Sequence, residues 1–395
     1  MRSPEKIVLG LGGTVDYEIT LDSQVLNGLI ERYAIEPEEI SNNVKIDSQR
    51  DLLLNLLDFL RTGTGGERFV SESRFIEEFS SLFDKDITLG GTCVRAAMAL
   101  EQFDIGCTLH LVSINEVTRR QLPKSAKYIC SDNRDTFDPH LIVQFPKGIH
   151  IKSGEVDFTS PHANRIIFTN DPPNRNLLIS EDLGNILSNA ELFLISGFNC
   201  IQEQSILDLR ISDIKRHMQA LSDDAVVFFE DAGYHIPSLS IRVRDELIGL
   251  IDVYSMNEEE LQSYLGRTLD LLNVVDMLAA FTEIHQLIPA DTLVVHTKYW
   301  AVAIGKHSEH YSKGLLGGIT MASTRYLFGD ELSREKYSEV SQLPQNNEGL
   351  IFSKEITRVS GNFIQCVPTL LLHSDNPHTI GLGDTFVGGF IAAII

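Results

Sequence analysis

Short apolar runs that each stop at a glycine or an acid limit this chain more than any other feature. Ile7-Val8-Leu9-Gly10 is one, followed by Leu11-Gly12-Gly13; Leu192-Phe193-Leu194-Ile195-Ser196-Gly197 is another. Ala225-Val226-Val227-Phe228-Phe229-Glu230-Asp231 ends in two acids, and Leu250-Ile251-Asp252-Val253-Tyr254-Ser255 leads into Met256-Asn257. Runs of this length with no polar alternation are strands buried on both faces, the strands of a parallel sheet. Helical spacing lies between them, as in Leu53, Leu54, Leu56, Leu57 and Leu60 between about Asp51 and Thr62. The alternation predicts an α/β chain whose ligands sit beyond the carboxyl ends of its strands.

The texture changes between about Leu122 and Asn176. Turn formers dominate there, as in Asp132-Asn133-Arg134-Asp135 and Phe145-Pro146-Lys147-Gly148, with short strand-like runs such as Leu141 to Phe145 and Arg165 to Phe168 between them. This stretch predicts a smaller β-rich lid. The assignment is a large α/β domain over about 1–15, 88–121 and 177–395, and a lid over about 16–87 and 122–176. For 395 residues, two or three domains or one large domain with an inserted lid are expected. Leu293 to Ile304 reads as a hairpin near the sheet edge, and the sequence has no repeats and no low-complexity segment.

Chemistry concentrates near the end, in Thr379-Ile380-Gly381-Leu382-Gly383-Asp384-Thr385-Phe386. Gly381 and Gly383 let the backbone present consecutive N–H groups, and the apolar run after Asp384 reads as a helix beginning there. Backbone donors at a helix start favour a phosphate or a developing oxyanion. A carboxylate at the mouth of that hole can take the proton of an attacking hydroxyl, so Asp384 is the candidate general base. The same motif is also a turn followed by an Asp N-cap.

Other candidates lie at strand ends and glycine pairs. Asp16, just beyond the first strand, can hold a substrate hydroxyl, or be a solvated loop residue. Gly63-Thr64-Gly65-Gly66-Glu67-Arg68 reads as a flexible loop that can close over a ligand, with Glu67 a candidate contact to a sugar hydroxyl or simply an exposed loop acid. Gly90 and Gly91 precede an Ala-rich helix and allow close approach of a ligand or tight packing. Arg165 is a phosphate contact if it faces a cleft. Asn257 and Glu260 form a capping box, or with Glu230 supply oxygens to a water-rich Mg2+ site. His296 is placed with the nucleotide contacts, although a buried histidine is commonly structural.

The formal net charge of −22 excludes nucleic acid and anionic membrane as general partners in the absence of a basic patch. Phosphate substrates must then be held by local groups and a cation. Five scattered cysteines with no Cys-x-x-Cys pair suggest neither disulfides nor zinc. No signal-peptide pattern begins at Met1, and no stretch is long and apolar enough to span a bilayer. A reduced, cytoplasmic protein, monomeric or a small homo-oligomer, is expected.

Together, Val15-Asp16, Gly90-Gly91, Asn257-Glu258-Glu259-Glu260 and Gly381-Leu382-Gly383-Asp384 occur in an order that resembles the ADP-dependent glucokinase/phosphofructokinase family of the ribokinase-like superfamily. The resemblance spans essentially the whole chain. It implies a ribokinase-like three-layer α/β/α domain with a β-rich lid, Mg2+, a nucleotide donor such as ADP, and glucose or fructose 6-phosphate as acceptor. Asp384 then matches the catalytic base, Gly381 and Gly383 the anion hole, Asn257 and Glu260 the metal and phosphate element, and Asp16, Gly90 and Gly91 the sugar positions. Glu67 and Arg165 fall where lid residues contact glucose or a sugar phosphate. Two departures stand out: Phe228 replaces the histidine of a His-x-Glu element that ends in Glu230, and Thr14 replaces an asparagine. An ATP-dependent ribokinase-like kinase and a silent sugar- or nucleotide-binding sensor are the alternatives.

Overall fold

The computed structural model describes residues 4–374 and 377–395, so Met1 to Ser3 of the N-terminal reading lie outside the described residues. In chain order the strands are β1 (Ile7–Leu9), β2 (Thr14–Ile19), β3 (Gly66–Phe69), β4 (Lys85–Gly90), β5 (Cys107–Leu111) and β6 (Ala126–Cys130). There follow β7 (His140–Phe145), β8 (His150–Ser153), β9 (Val156–Thr159), β10 (Asn164–Thr169) and β11 (Leu192–Ile195). The last are β12 (Val226–Glu230), β13 (Val253–Asn257), β14 (Thr292–His296), β15 (Trp300–Gly305) and β16 (Ile364–Pro368).

Nine of these form one sheet in the order β16-β15-β14-β13-β12-β11-β1-β5-β6. The seven strands from β14 to β6 run parallel, and within this sheet β15 alone runs in the opposite direction, antiparallel to both β14 and β16. Alternate side chains enter two cores. Leu9, Leu194, Phe228 and Val294 face one with Leu315, Phe386 and Phe390 of the helices Ser312–Phe328 and Leu382–Ile394. Val8, Phe193, Phe229 and Val295 face the other with Ile211, Met277 and Phe352. Helices thus cover both faces, which is why the strands read as unbroken apolar runs. The predicted three-layer α/β/α architecture is the observed one.

The chain leaves β1, returns on one side of it at β5, and later on the other side at β11. That reversal opens a crevice at the carboxyl end of β1, the usual ligand position in such sheets. Above it lies a second sheet in the order β3-β10-β7-β2-β4, with the hairpin β8-β9 beside it. The lid boundaries therefore differ from those read in the sequence. Thr14, Val15 and all of Lys85–Gly90 belong to the lid sheet, paired as β2 and β4. Ala126–Cys130, assigned above to the lid, instead extends β5 at the edge of the large sheet. Local turn density cannot show which sheet a short strand joins, because pairing is non-local.

The Gln49–Thr62 helix and the β14–β15 hairpin appear as expected. The flexible loop does not: Gly66–Phe69 is a strand paired in parallel with β10, so Glu67 sits on the lid sheet. Among the described residues no helix is long and apolar enough to cross a membrane, and all five cysteines are free.

Candidate functional site

Two clefts meet beneath the lid. One, of 600 Å³, is lined by Asp384, Gly381 and Gly383, by Asn257 to Glu260, by Glu230, His296 and Lys298, and by the apolar Leu370 to Leu372. The other, of 660 Å³, has Glu67, His235, Asn199, Tyr264 and Glu260 on its walls. Arg165 lines both, with an exposed side chain on β10.

The glycine motif is the start of the Leu382–Ile394 helix. Gly381 is its N-cap with φ +67, a conformation that glycine adopts without a Cβ penalty. Thr385 N–H is bonded to Gly381 O, leaving the N–H groups of Leu382, Gly383 and Asp384 as the unsatisfied donors of the first turn. Free N–H donors at a helix start are what an anion hole requires. The helix begins two residues earlier than expected, so Asp384 lies in the first turn and is not the cap. Its Oδ1 accepts from Thr92 Oγ1 at 2.7 Å, a bond from the start of the Thr92–Glu101 helix.

Behind this turn is Arg95, only 2% exposed. Its nitrogens lie 3.4 Å from Asp16 Oδ2, 3.9 Å from Glu18, 3.4 Å from Asp330 and 3.8 Å from Asp384 Oδ2. Burial works against the guanidinium charge, and the carboxylates of Asp16, Asp330, Asp384 and Glu18 outweigh it. Asp16 is not a loop residue: it is 4% exposed on β2, accepts from Thr14 Oγ1 at 2.7 Å and has His140 Nδ1 4.0 Å away. A Cβ on Gly90 would lie 2.2 Å from Asp16 Oδ2. Gly90 is thus required by the chain's own carboxylate, and Gly91, with φ +88, by the backbone of Gly13 at 3.0 Å.

Across the cleft, β12, β13 and β14 end side by side and bring Glu230, Asn257 and His296 together. The capping box is real: Asn257 N–H and Nδ2 donate to Glu260 at 2.6 and 2.8 Å, and Asn257 Oδ1 accepts from Glu259 and Glu260 N–H. His296 Nε2 is 3.1 Å from Glu230 Oε1, and its ring stacks on Phe386 at 4.6 Å. Burial opposes protonation of His296, but Glu230 raises it above its ordinary value. Burial, reinforced by Glu230 and Asp231, pushes Glu260 up to about 8, and burial pushes Asp231 up to about 6. Phe228 lies apart from this chemistry, fully buried 5.3 Å from the Phe390 ring.

The fit to a cation follows from these acids. Glu230 Oε2 is buried with no hydrogen-bond partner, and Glu260 carries a charge its surroundings disfavour. Among the described residues no three His, Cys, Asp or Glu side chains converge as a direct cage. A hydrated Mg2+, bound through its waters, is the species such a wall suits.

On the lid, burial would raise Glu67, but a hydrogen bond from His235 and the charges of His235 and His140 hold it below its usual value. Its Oε2 is 3.3 Å from His235 Nε2. His140 is in turn raised to about 9: burial lowers it, and the bond to Asp171 with the charges of Asp171, Asp16 and Glu67 more than compensates. Sequence reading missed Thr92, Arg95, His140 and His235. An arginine inside the small-residue run Cys93-Val94-Arg95-Ala96-Ala97 was the available signal.

The chain matches the model of the ADP-specific phosphofructokinase/glucokinase conserved region over residues 5–391. No curated protein matches it by sequence. Among solved structures it is similar to a phosphofructokinase from Pyrococcus horikoshii OT3 crystallised with AMP, with a TM-score of 0.78 and 20% identity over 98% of this chain and 97% of that one. It is also similar to the last common ancestor of ADP-dependent phosphofructokinases from Methanosarcinales, with a TM-score of 0.78 and 16% identity over 99% and 94% of the two chains. An ADP-dependent kinase in complex with fructose 6-phosphate and ADPβS gives 0.75 and 15% over 100% and 94%. With a family match across nearly its whole length, the chain belongs to the ADP-specific phosphofructokinase/glucokinase family and is an ADP-dependent sugar kinase.

Proposed function

We propose that the protein uses Mg2+ to transfer the β-phosphoryl group of ADP to a hexose or hexose phosphate, with Asp384 as general base. The observation that carries this reading is the placement of the Asp384 carboxylate beside unsatisfied helix N–H donors on the wall of the 600 Å³ cleft. Asp384 accepts the proton of the acceptor hydroxyl as that oxygen bonds to phosphorus, and the bond to the AMP leaving group breaks. The N–H groups of Leu382 and Gly383 stabilise charge on the transferring phosphoryl oxygens. When bound, Mg2+ supplies charge neutralisation at the donor phosphates, and Glu230, Glu260 and Asn257 hold its waters. His296 orients Glu230 and borders the nucleotide side of the cleft, with Leu370 to Leu372 as its apolar wall.

Asp16 with Gly90 and Gly91 positions the sugar. Arg165 favours a phosphorylated acceptor over glucose, because its exposed guanidinium faces both clefts while Glu67 is already engaged by His235. The test is a product assay with Mg2+ that crosses ADP and ATP with glucose and fructose 6-phosphate. AMP and fructose 1,6-bisphosphate are expected. Transfer from ATP alone, or no transfer to either sugar, would overturn the reading.

A further inference from the structure

We propose that Arg95 is a positioning residue for phosphoryl transfer: from beneath the glycine turn it holds the base Asp384 and the sugar-side Asp16 in one charge-balanced unit. The inference rests on the reading of Asp384 as base. Geometry fixes Arg95 against the turn itself, since a Cβ at Gly381 would come within 2.5 Å of its Cδ and 2.6 Å of its Nε. One guanidinium therefore touches elements that are far apart in the chain: β2 of the lid through Asp16 and Glu18, and the Leu382–Ile394 helix through Asp384.

A second arginine completes the support. Arg325 donates to the carbonyl of Ile380, the residue before the turn, and pairs with Asp330, which Arg95 also contacts at 3.4 Å. Asp330 draws on both guanidinium groups from the rim, where its side chain is 37% exposed. The lid strand and the anion hole are thus tied to the same buried cation, and that cation is the permanently charged arginine rather than a titrating group. A planar fork meets several carboxylates in one fixed geometry, which an ammonium on a flexible stem does not hold.

Around Asp384 the charged and titratable groups are Cys93 and Arg95 on the Thr92–Glu101 helix, Asp16 and Glu18 on β2, Arg325 on the Ser312–Phe328 helix, Asp330 just beyond it, and His296 at the end of β14.

The full-length enzyme is assayed as wild type, Arg95→Lys, Arg95→Met and Asp330→Asn, with kcat, KM and the acid limb of kcat/KM against pH. Arg95→Lys is expected to lower kcat about 10-fold with KM for ADP unchanged, as loss of orientation without loss of charge predicts. Arg95→Met is expected to move the acid limb up by about one pH unit, and Asp330→Asn to move it down, because each removes one charge near the base. A wild-type kcat in Arg95→Lys, or an unmoved limb in Asp330→Asn, overturns the proposal. If Arg95→Met does not fold, Asp330→Asn decides, since it alters a partly exposed residue. Asp384→Asn separates the two readings: full turnover there would defeat the base assignment itself, whereas its inactivity with unmoved limbs elsewhere defeats only the role of Arg95.

Discussion

Two groups of carboxylates face each other across the site, and they are balanced in different ways. Asp16, Glu18, Asp330 and Asp384 surround Arg95, a cation carried by the chain. Glu230 pairs with His296, Asp231 accepts from Tyr254, Tyr264 and the Ala232 N–H, Glu260 accepts from Asn257, and two of the three are held toward their protonated forms by burial. The first group is balanced by a cation that the fold itself carries, while burial still raises Glu18. The second carries a charge that an added cation would relieve. Buried acids are costly unless paired, so the difference marks which half of the site is complete and which awaits a ligand.

The largest effect should come from the complete half. Asp384→Asn is expected to lower kcat by about 10²-fold or more with the fold retained, checked by steady-state kinetics and circular dichroism. Near-normal turnover would break the assignment. In the second group, Glu230→Gln is expected to weaken the apparent Mg2+ affinity about 10-fold while leaving kcat at saturating Mg2+ much closer to normal. A loss that no Mg2+ concentration restores would place Glu230 with the base instead.

Acceptor choice is sharpened at the lid. Arg165→Ala is expected to raise KM for fructose 6-phosphate about 10-fold with KM for ADP unchanged, in line with the loss of one charge-assisted hydrogen bond. An equal rise for both substrates would move Arg165 to the nucleotide.

The smallest effect is a pH dependence of stability. A carboxyl raised on folding favours the native state while protonated. Its contribution is full below the unfolded value and disappears as pH rises through the folded one. For Glu260 the window runs from 4.5 to about 8, and for Asp231 from 3.8 to about 6. Without divalent cation, Tm should fall by about 2–3 °C between pH 5 and 8, and Mg2+ should raise it more at pH 8. Glu260→Gln should flatten the profile, measured by differential scanning fluorimetry. A flat wild-type profile would remove the contrast between the two groups.

Much of the frame was legible because it is local. Unbroken apolar runs identified the buried strands, and Gly381-Leu382-Gly383-Asp384 located the helix start. Asn257 and Glu260 showed their capping box through a three-residue spacing. The two arrangements offered for them are compatible, since a capped helix start leaves the Glu260 carboxylate on the cleft wall. Phe228 looked like a change in the site, yet it points into the core against Phe390, and the histidine that reaches Glu230 comes from β14. Partners 66 residues apart, on strands that flank β13, leave no mark on either segment.

By itself the sequence determined the α/β class with strands buried on both faces, the presence of a β-rich insertion and the acid that follows the glycine turn, since each depends on periodicity or on a residue's own backbone freedom. Tertiary structure alone decided that Glu67 lies on a strand, that β6 extends the large sheet, and that Asp16 and Asp384 share Arg95. Those facts depend on pairings between distant segments, whose energies come from burial and charge in a common low-dielectric space rather than from neighbours along the chain.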